Sequence, residues 1–116
     1  MHITYNEVFD YPFTGISFAR SDLINASHNV TYRNASENWG SGISFWQPDR
    51  IGPDLPGYRI LIHNNISHGQ KWFSGPTTDT NGIILDDFRN EQDYPGKPGK
   101  PYLGATLVAN NLTHGN

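Results

Sequence analysis

The densest run of groups able to do acid–base or metal chemistry is residues 78–90, Thr-Asp-Thr-Asn-Gly-Ile-Ile-Leu-Asp-Asp-Phe-Arg-Asn. It places Asp79, Asn81, Asp86, Asp87 and Arg89 at the two ends of a short apolar stretch. Three readings suit these residue types. Two carboxylates can cleave a glycosidic bond, one as acid and the other as base or nucleophile. Alternatively, Asp79, Asp86 and Asp87 can hold Ca²⁺ against an acidic sugar while Lys71 or Arg89 takes a proton in β-elimination. The third reading is structural: the aspartates cap turn N–H groups and Arg89 pairs with one of them. On a strand, adjacent Asp86 and Asp87 point to opposite sides unless the turn has already begun.

Around this run lie long, Pro- and Gly-bearing connections that carry large aromatic side chains. Trp46, Trp72, Phe73 and Tyr94, with Asn81 as a polar contact, form the expected substrate-binding set. Aromatic faces suit the apolar C–H surfaces of sugar rings, and they serve equally to cover an exposed edge of the fold. Long loops of this kind in a repeat protein commonly gather on one working face.

The elements that must hold these residues are short strands. Hydrophobic residues make up only 35% of the 116, against 12 Gly, 8 Pro and many Asn, Ser and Thr. That is turn chemistry repeated often, while aromatics at 13% and the modest charge argue against disorder. The chain repeats itself. Gly15-Ile16-Ser17-Phe18 matches Gly42-Ile43-Ser44-Phe45 at an offset of 27, and the same offset lays Ile3-Thr4-Tyr5 over Val30-Thr31-Tyr32. Gly82-Ile83-Ile84-Leu85 is a third Gly-Ile block, and residues 63–69 and 109–115 share Asn-Asn, an aliphatic, a hydroxyl, His and Gly in order. One copy cannot bury its apolar face, but stacked copies can. The expected fold is therefore all-β, a right-handed parallel β-helix of about three to four coils. The coils fall at roughly 1–27, 28–58, 59–104 and 105–116 of a single domain. Ile3, Tyr5, Val8, Ile16 and Phe18 are expected to face inward in the first coil. Val30, Tyr32, Ile43 and Phe45 follow, then Ile60, Ile62, Ile66, Ile83 and Leu85, then Val108 and Leu112. Asn64 and Asn110 are expected to stack at a bend. An antiparallel sandwich is the alternative, with Asn81-Gly82 as its most suggestive hairpin signal.

Several classes fall away. The net charge of −3 offers no basic stripe for a nucleic-acid backbone. With no Cys there are neither disulfides nor thiolate zinc sites. No apolar run approaches the roughly 20 residues of a membrane span. His63, His68 and His114 track the repeat and are expected to serve the stack. The Asn-x-Ser/Thr triplets at Asn25, Asn29, Asn34, Asn65 and Asn111 are expected to be by-products of an Asn-, Ser- and Thr-rich coil. Both ends break into the repeat, so the chain reads as a piece of a longer stack. Its uncapped coils invite end-to-end self-association.

Residues 6–17, Asn-Glu-Val-Phe-Asp-Tyr-Pro-Phe-Thr-Gly-Ile-Ser, and 81–89, Asn-Gly-Ile-Ile-Leu-Asp-Asp-Phe-Arg, resemble coils of the pectate-lyase-like superfamily of right-handed parallel β-helices. Residues 106–112 resemble the coil that follows. The resemblance implies a secreted protein acting on plant or microbial polysaccharide, as a lyase assisted by Ca²⁺ or as a glycoside hydrolase; non-catalytic binding or structural modules share these coils. Asp79, Asn81, Asp86, Asp87 and Arg89 match the polar coil of the group, with Thr80 where the pattern often has Gly. The Gly-His-Gly and Arg-x-Lys motifs of the polygalacturonases are absent.

Overall fold

In the computed structural model, residues 1–37, 39–71, 79–92 and 99–116 are described. They contain eleven short strands: β1 (His2–Thr4), β2 (Glu7–Phe9), β3 (Ile16–Ala19), β4 (Ile24–Ser27), β5 (Val30–Tyr32), β6 (Ile43–Trp46), β7 (Ile60–His63), β8 (Ile66–His68), β9 (Ile83–Asp86), β10 (Thr106–Ala109) and β11 (Leu112–His114). Every pairing between them is parallel. Sheet A runs β1-β4-β7-β10, sheet B β2-β5-β8-β11 and sheet C β3-β6-β9. The chain visits A, B and C in turn and returns to A one layer along, which is a parallel β-helix. Among the described residues no helix is long and apolar enough to cross a membrane.

Side-chain columns hold the layers together. Period-two alternation sends one set of side chains inward. Ile3, Ala26, Ile62 and Val108 form one such column in sheet A, and Ile16, Ile43 and Ile83 form one in sheet C. Phe18 and Phe45 stack 4.4 Å apart within the same core. The core is driest in the middle coils, where Ile24, Ala26, Ile43, Phe45, Ile60 and Ile62 are almost fully buried. Leu85 and Val108 are the last of the described residues in their columns and stay about half exposed.

Between sheets A and B each coil turns on two residues. The first has a left-handed backbone: Tyr5, His28, Asn64 and Asn110 have φ of 59, 57, 55 and 53°. The second is an asparagine whose amide points inward. Asn6, Asn29, Asn65 and Asn111 form a continuous ladder, each backbone N–H donating to the Oδ1 of the next layer at 3.0 Å. Each Nδ2 also donates to that Oδ1. The stack expected at Asn64 and Asn110 therefore lies one residue later. A buried amide needs partners for all its polar atoms, and only the inward position supplies them from both neighbouring layers. A second ladder runs from Tyr11 N–H to Asn34 Oδ1, from Asn34 N–H to Gln70 Oε1 and from Gln70 N–H to Asn116 Oδ1.

The inward amide sets the phase of sheet B. Counting from Asn29 or Asn65, the next residue points out and the one after points in. The inner column is thus Val8, Thr31, Ser67 and Thr113, with Thr31 Oγ1 donating to Ser67 Oγ at 2.9 Å. Val30, Tyr32, Ile66 and Leu112, expected inside, face outward; Ile66 is 40% and Leu112 54% exposed. Tyr5, also expected inside, takes the left-handed corner and is 77% exposed. The outer column of Phe9, Tyr32, His68 and His114 stacks at 5.0–5.2 Å with nearly parallel rings.

The repeat offset also needs correction. Ile3 pairs with Ala26 and Glu7 with Val30, so sheets A and B repeat first at 23 residues. Only sheet C repeats at 27. The turn at 33–42 is longer than the one at 10–15, so the offset changes inside the coil. The likeness of 3–5 to 30–32 reflects strand composition and not register. β4 consequently stacks on β1, and a coil boundary at 27/28 would part β4 from β5.

The returns from sheet C to sheet A, residues 20–23, 47–59 and 87–105, lengthen along the chain. A buried network pins them. Arg59 donates to both oxygens of Asp22, at 3.0 and 2.5 Å, and to the Pro53 carbonyl. Tyr102 Oη donates to Asp22 Oδ1 at 2.8 Å, and Gly52 N–H to Asp22 Oδ2.

Candidate functional site

Sheet C carries the site on its outer face. Ala19, Trp46 and Asp86 form an outward column at the ends of β3, β6 and β9. One residue later the backbone turns left-handed at Arg20, Gln47 and Asp87, with φ of 47, 46 and 48°. The turn has thus begun at Asp87, and its side chain joins a ladder instead of standing on the opposite face of a strand. Arg20 Nη2 donates to Gln47 Oε1 at 2.9 Å and Gln47 Nε2 to Asp87 Oδ2 at 2.7 Å.

Asp87 then organises the segment after it. Its Oδ1 accepts the N–H of Glu91 and its Oδ2 the N–H of Gln92, both at 2.9 Å. Gln47 Nε2 also donates to the Gln92 carbonyl. Gln92 is thereby held beside Asp86, where its Nε2 lies 3.4 Å from Asp86 Oδ1. Burial raises the Asp87 carboxyl, but the bonds from Gln47, Glu91 and Gln92 outweigh it and hold the group below its usual range. Asp86 goes the other way: burial, then the charges of Asp79 and Asp87, push it up against one weak bond from Gln92. The two adjacent carboxyls are thus shifted in opposite directions by their surroundings.

Trp39, Trp46, Asp79, Asp86 and Gln92 line an open cleft of roughly 460 Å³ on this face. Trp39 comes from the lengthened turn before β6 and is 65% exposed. Arg20 lies over the Trp46 ring, 5.9 Å from its centroid, and is not a lining residue.

The expected site residues divide. Asp79, Asp86 and Trp46 meet in the cleft. Asp87 supports it from behind. Lys71 stands elsewhere, 3.3 Å from Asp10, which Arg33 grips with two bonds. Arg89 is exposed and pairs with Glu91 at 2.9 Å. Asn81 is exposed ahead of β9, and its carbonyl accepts the Gly42 N–H. Trp72, Phe73 and Tyr94 lie outside the described residues. Among the described residues no three of His, Asp and Glu are grouped to hold a metal ion, and Asp79, Asp86 and Asp87 are no exception. Trp39 and Gln92 were not singled out from sequence. The signal for Trp39 was available in the change of offset from 23 to 27, which marks its turn as an insertion.

Comparison with protein-family models, with curated proteins and with solved structures finds no match to this chain.

Proposed function

We propose that this is a secreted carbohydrate-active β-helix protein of the pectate-lyase-like kind, which binds polysaccharide in the sheet C cleft and hydrolyses it there. One observation carries the reading: two tryptophans and two carboxylates line a single open cleft. Indole faces suit sugar rings, and a carboxyl whose pKa is pushed up beside a second carboxylate suits glycoside hydrolysis. Asp86 is the acid and Asp79 the base or nucleophile. Elimination is less well supported, because Lys71 and Arg89, the bases it would use, do not line the cleft.

The test is a polysaccharide panel assayed for reducing ends and for the absorbance of unsaturated product. Hydrolysis releases reducing ends without that absorbance, and Asp86→Asn lowers the rate by about 100-fold or more. Binding without either product identifies a non-catalytic carbohydrate module instead. Absence of binding across the panel overturns the reading.

A further inference from the structure

The charge of the cleft bears on which glycan it takes. Among the described residues its charged lining groups are Asp79 and Asp86, and the others are two tryptophans and a glutamine. Asp87 lies directly behind Asp86, and Glu91 in the same turn is paired with Arg89. Arg20, the cation beside Trp46, donates to Gln47 Oε1 and lies over the indole. The chain as a whole carries −3. A uronate entering this cleft brings a further acidic group to the Asp79 carboxylate that serves as base or nucleophile. An ammonium group does the reverse: it is drawn to that carboxylate and donates to the Asp86 carboxyl, and indole faces attract cations independently of them. Arg20 over Trp46 already shows the indole in such a contact.

We infer that the cleft takes glycans bearing free amino groups, with sugar ammonium groups against Asp79 and Asp86 and sugar rings against Trp39 and Trp46. This rests on the reading of the cleft as a glycan site and names its substrate class. Recognition of an amine here needs no divalent cation, whereas a uronate in an anionic cleft needs one to bridge the like charges.

The experiment is a calorimetric titration of the full chain at pH 6.5 and low salt with four tetrasaccharides: glucosamine, N-acetylglucosamine, glucose and galacturonate, each with Ca²⁺ and with chelator. Glucosamine tetramer is expected to bind about tenfold tighter than its acetylated counterpart, with or without chelator, and the margin is expected to shrink at high salt. Asp79→Asn with Asp86→Asn is expected to bring the amine and acetamide forms level while far-ultraviolet circular dichroism stays unchanged. Galacturonate binding as tightly as glucosamine overturns the inference and leaves the glycan reading standing. So does an amine preference that survives the double substitution. No binding by any of the four overturns the glycan reading and the inference together.

Discussion

Replacing Asn65 by Ala tests the ladder that sets the register of two sheets. Asn65 is 1% exposed. Its Oδ1 accepts the N–H and the Nδ2 of Asn29, both at 3.0 Å, and its Nδ2 donates to the Ala26 carbonyl at 3.0 Å and to Asn111 Oδ1 at 2.9 Å. After truncation Asn29 Nδ2 keeps the Ile3 carbonyl and Asn111 Oδ1 keeps the Asn65 N–H. The Asn29 N–H and the Ala26 carbonyl lose this partner in a dry interior. At about 1–3 kcal/mol for each such group, with a cavity added, the loss comes to about 3–5 kcal/mol. The neighbouring Asn64 is exposed at φ 55°, so Asn64→Gly relieves the left-handed corner and stays within about 0.5 kcal/mol of wild type. Urea unfolding followed by tryptophan fluorescence measures both. An Asn65→Ala protein within about 1 kcal/mol of wild type, or an equal loss from Asn64→Gly, would refute the reasoning.

Three further outcomes follow from the same geometry. Burial pushes the Asp22 carboxyl up, but Arg59, Tyr102 and the N–H groups of Gly52 and Leu23 outweigh it and hold it well below its usual range. A carboxyl depressed in the folded state contributes stability in full above its unfolded value of about 4 and loses it as pH falls below that. The urea midpoint of wild type should therefore drop more steeply than that of Asp22→Asn on acidification below about pH 4, and Asp22→Ala should cost about 3–5 kcal/mol at neutral pH. Gly42→Ala places a methyl group onto Ser67 Oγ and Thr31 Oγ1, and should lower stability by about 1–3 kcal/mol in the same assay. Asn29, Asn34 and Asn65 are buried with their Nδ2 atoms donating inside the stack, so peptide mapping of folded protein from a glycosylating host should find these three unmodified.

The last point explains a sequence feature that composition alone leaves as coincidence. In the ladder coils an inward Asn is followed by an outward residue and then by an inward one at a place too tight for a large side chain. Thr31, Ser67 and Thr113 fill that place, so Asn-x-Ser/Thr at Asn29, Asn65 and Asn111 is a product of the fold. The parallel β-helix was legible in the same way, from short alternating strands and from the Gly-Ile block, in which Gly42 and Gly82 face the inner column of Thr31, Ser67 and Thr113. The phase of sheet B was not. Val30, Tyr32, Ile66 and Leu112 are more apolar than Thr31, Ser67 and Thr113, and a reading by hydrophobicity puts them inside. Amide ladders reverse that order, because satisfying buried Asn groups fixes which neighbours point inward. The cleft was legible in part. Asp79 and Asp86 stood out as acids at strand ends and Trp46 as a loop aromatic. Asp87 looked identical to Asp86 in sequence and differs only because the backbone turns left-handed between them. Trp39 sits in a turn whose extra length shows only once the 23-residue register is known.

The central claim, that sheet C carries a glycan cleft between Trp39 and Trp46, is tested most directly by nitrogen-15 correlation spectra of the indole N–H groups. The chain has three tryptophans, so the spectrum is simple to assign by substitution. On titration with an amino-sugar tetrasaccharide, the Trp39 and Trp46 signals should move together along one saturable curve, and Asp86→Asn should weaken that curve. Saturable binding that leaves both signals in place would contradict it.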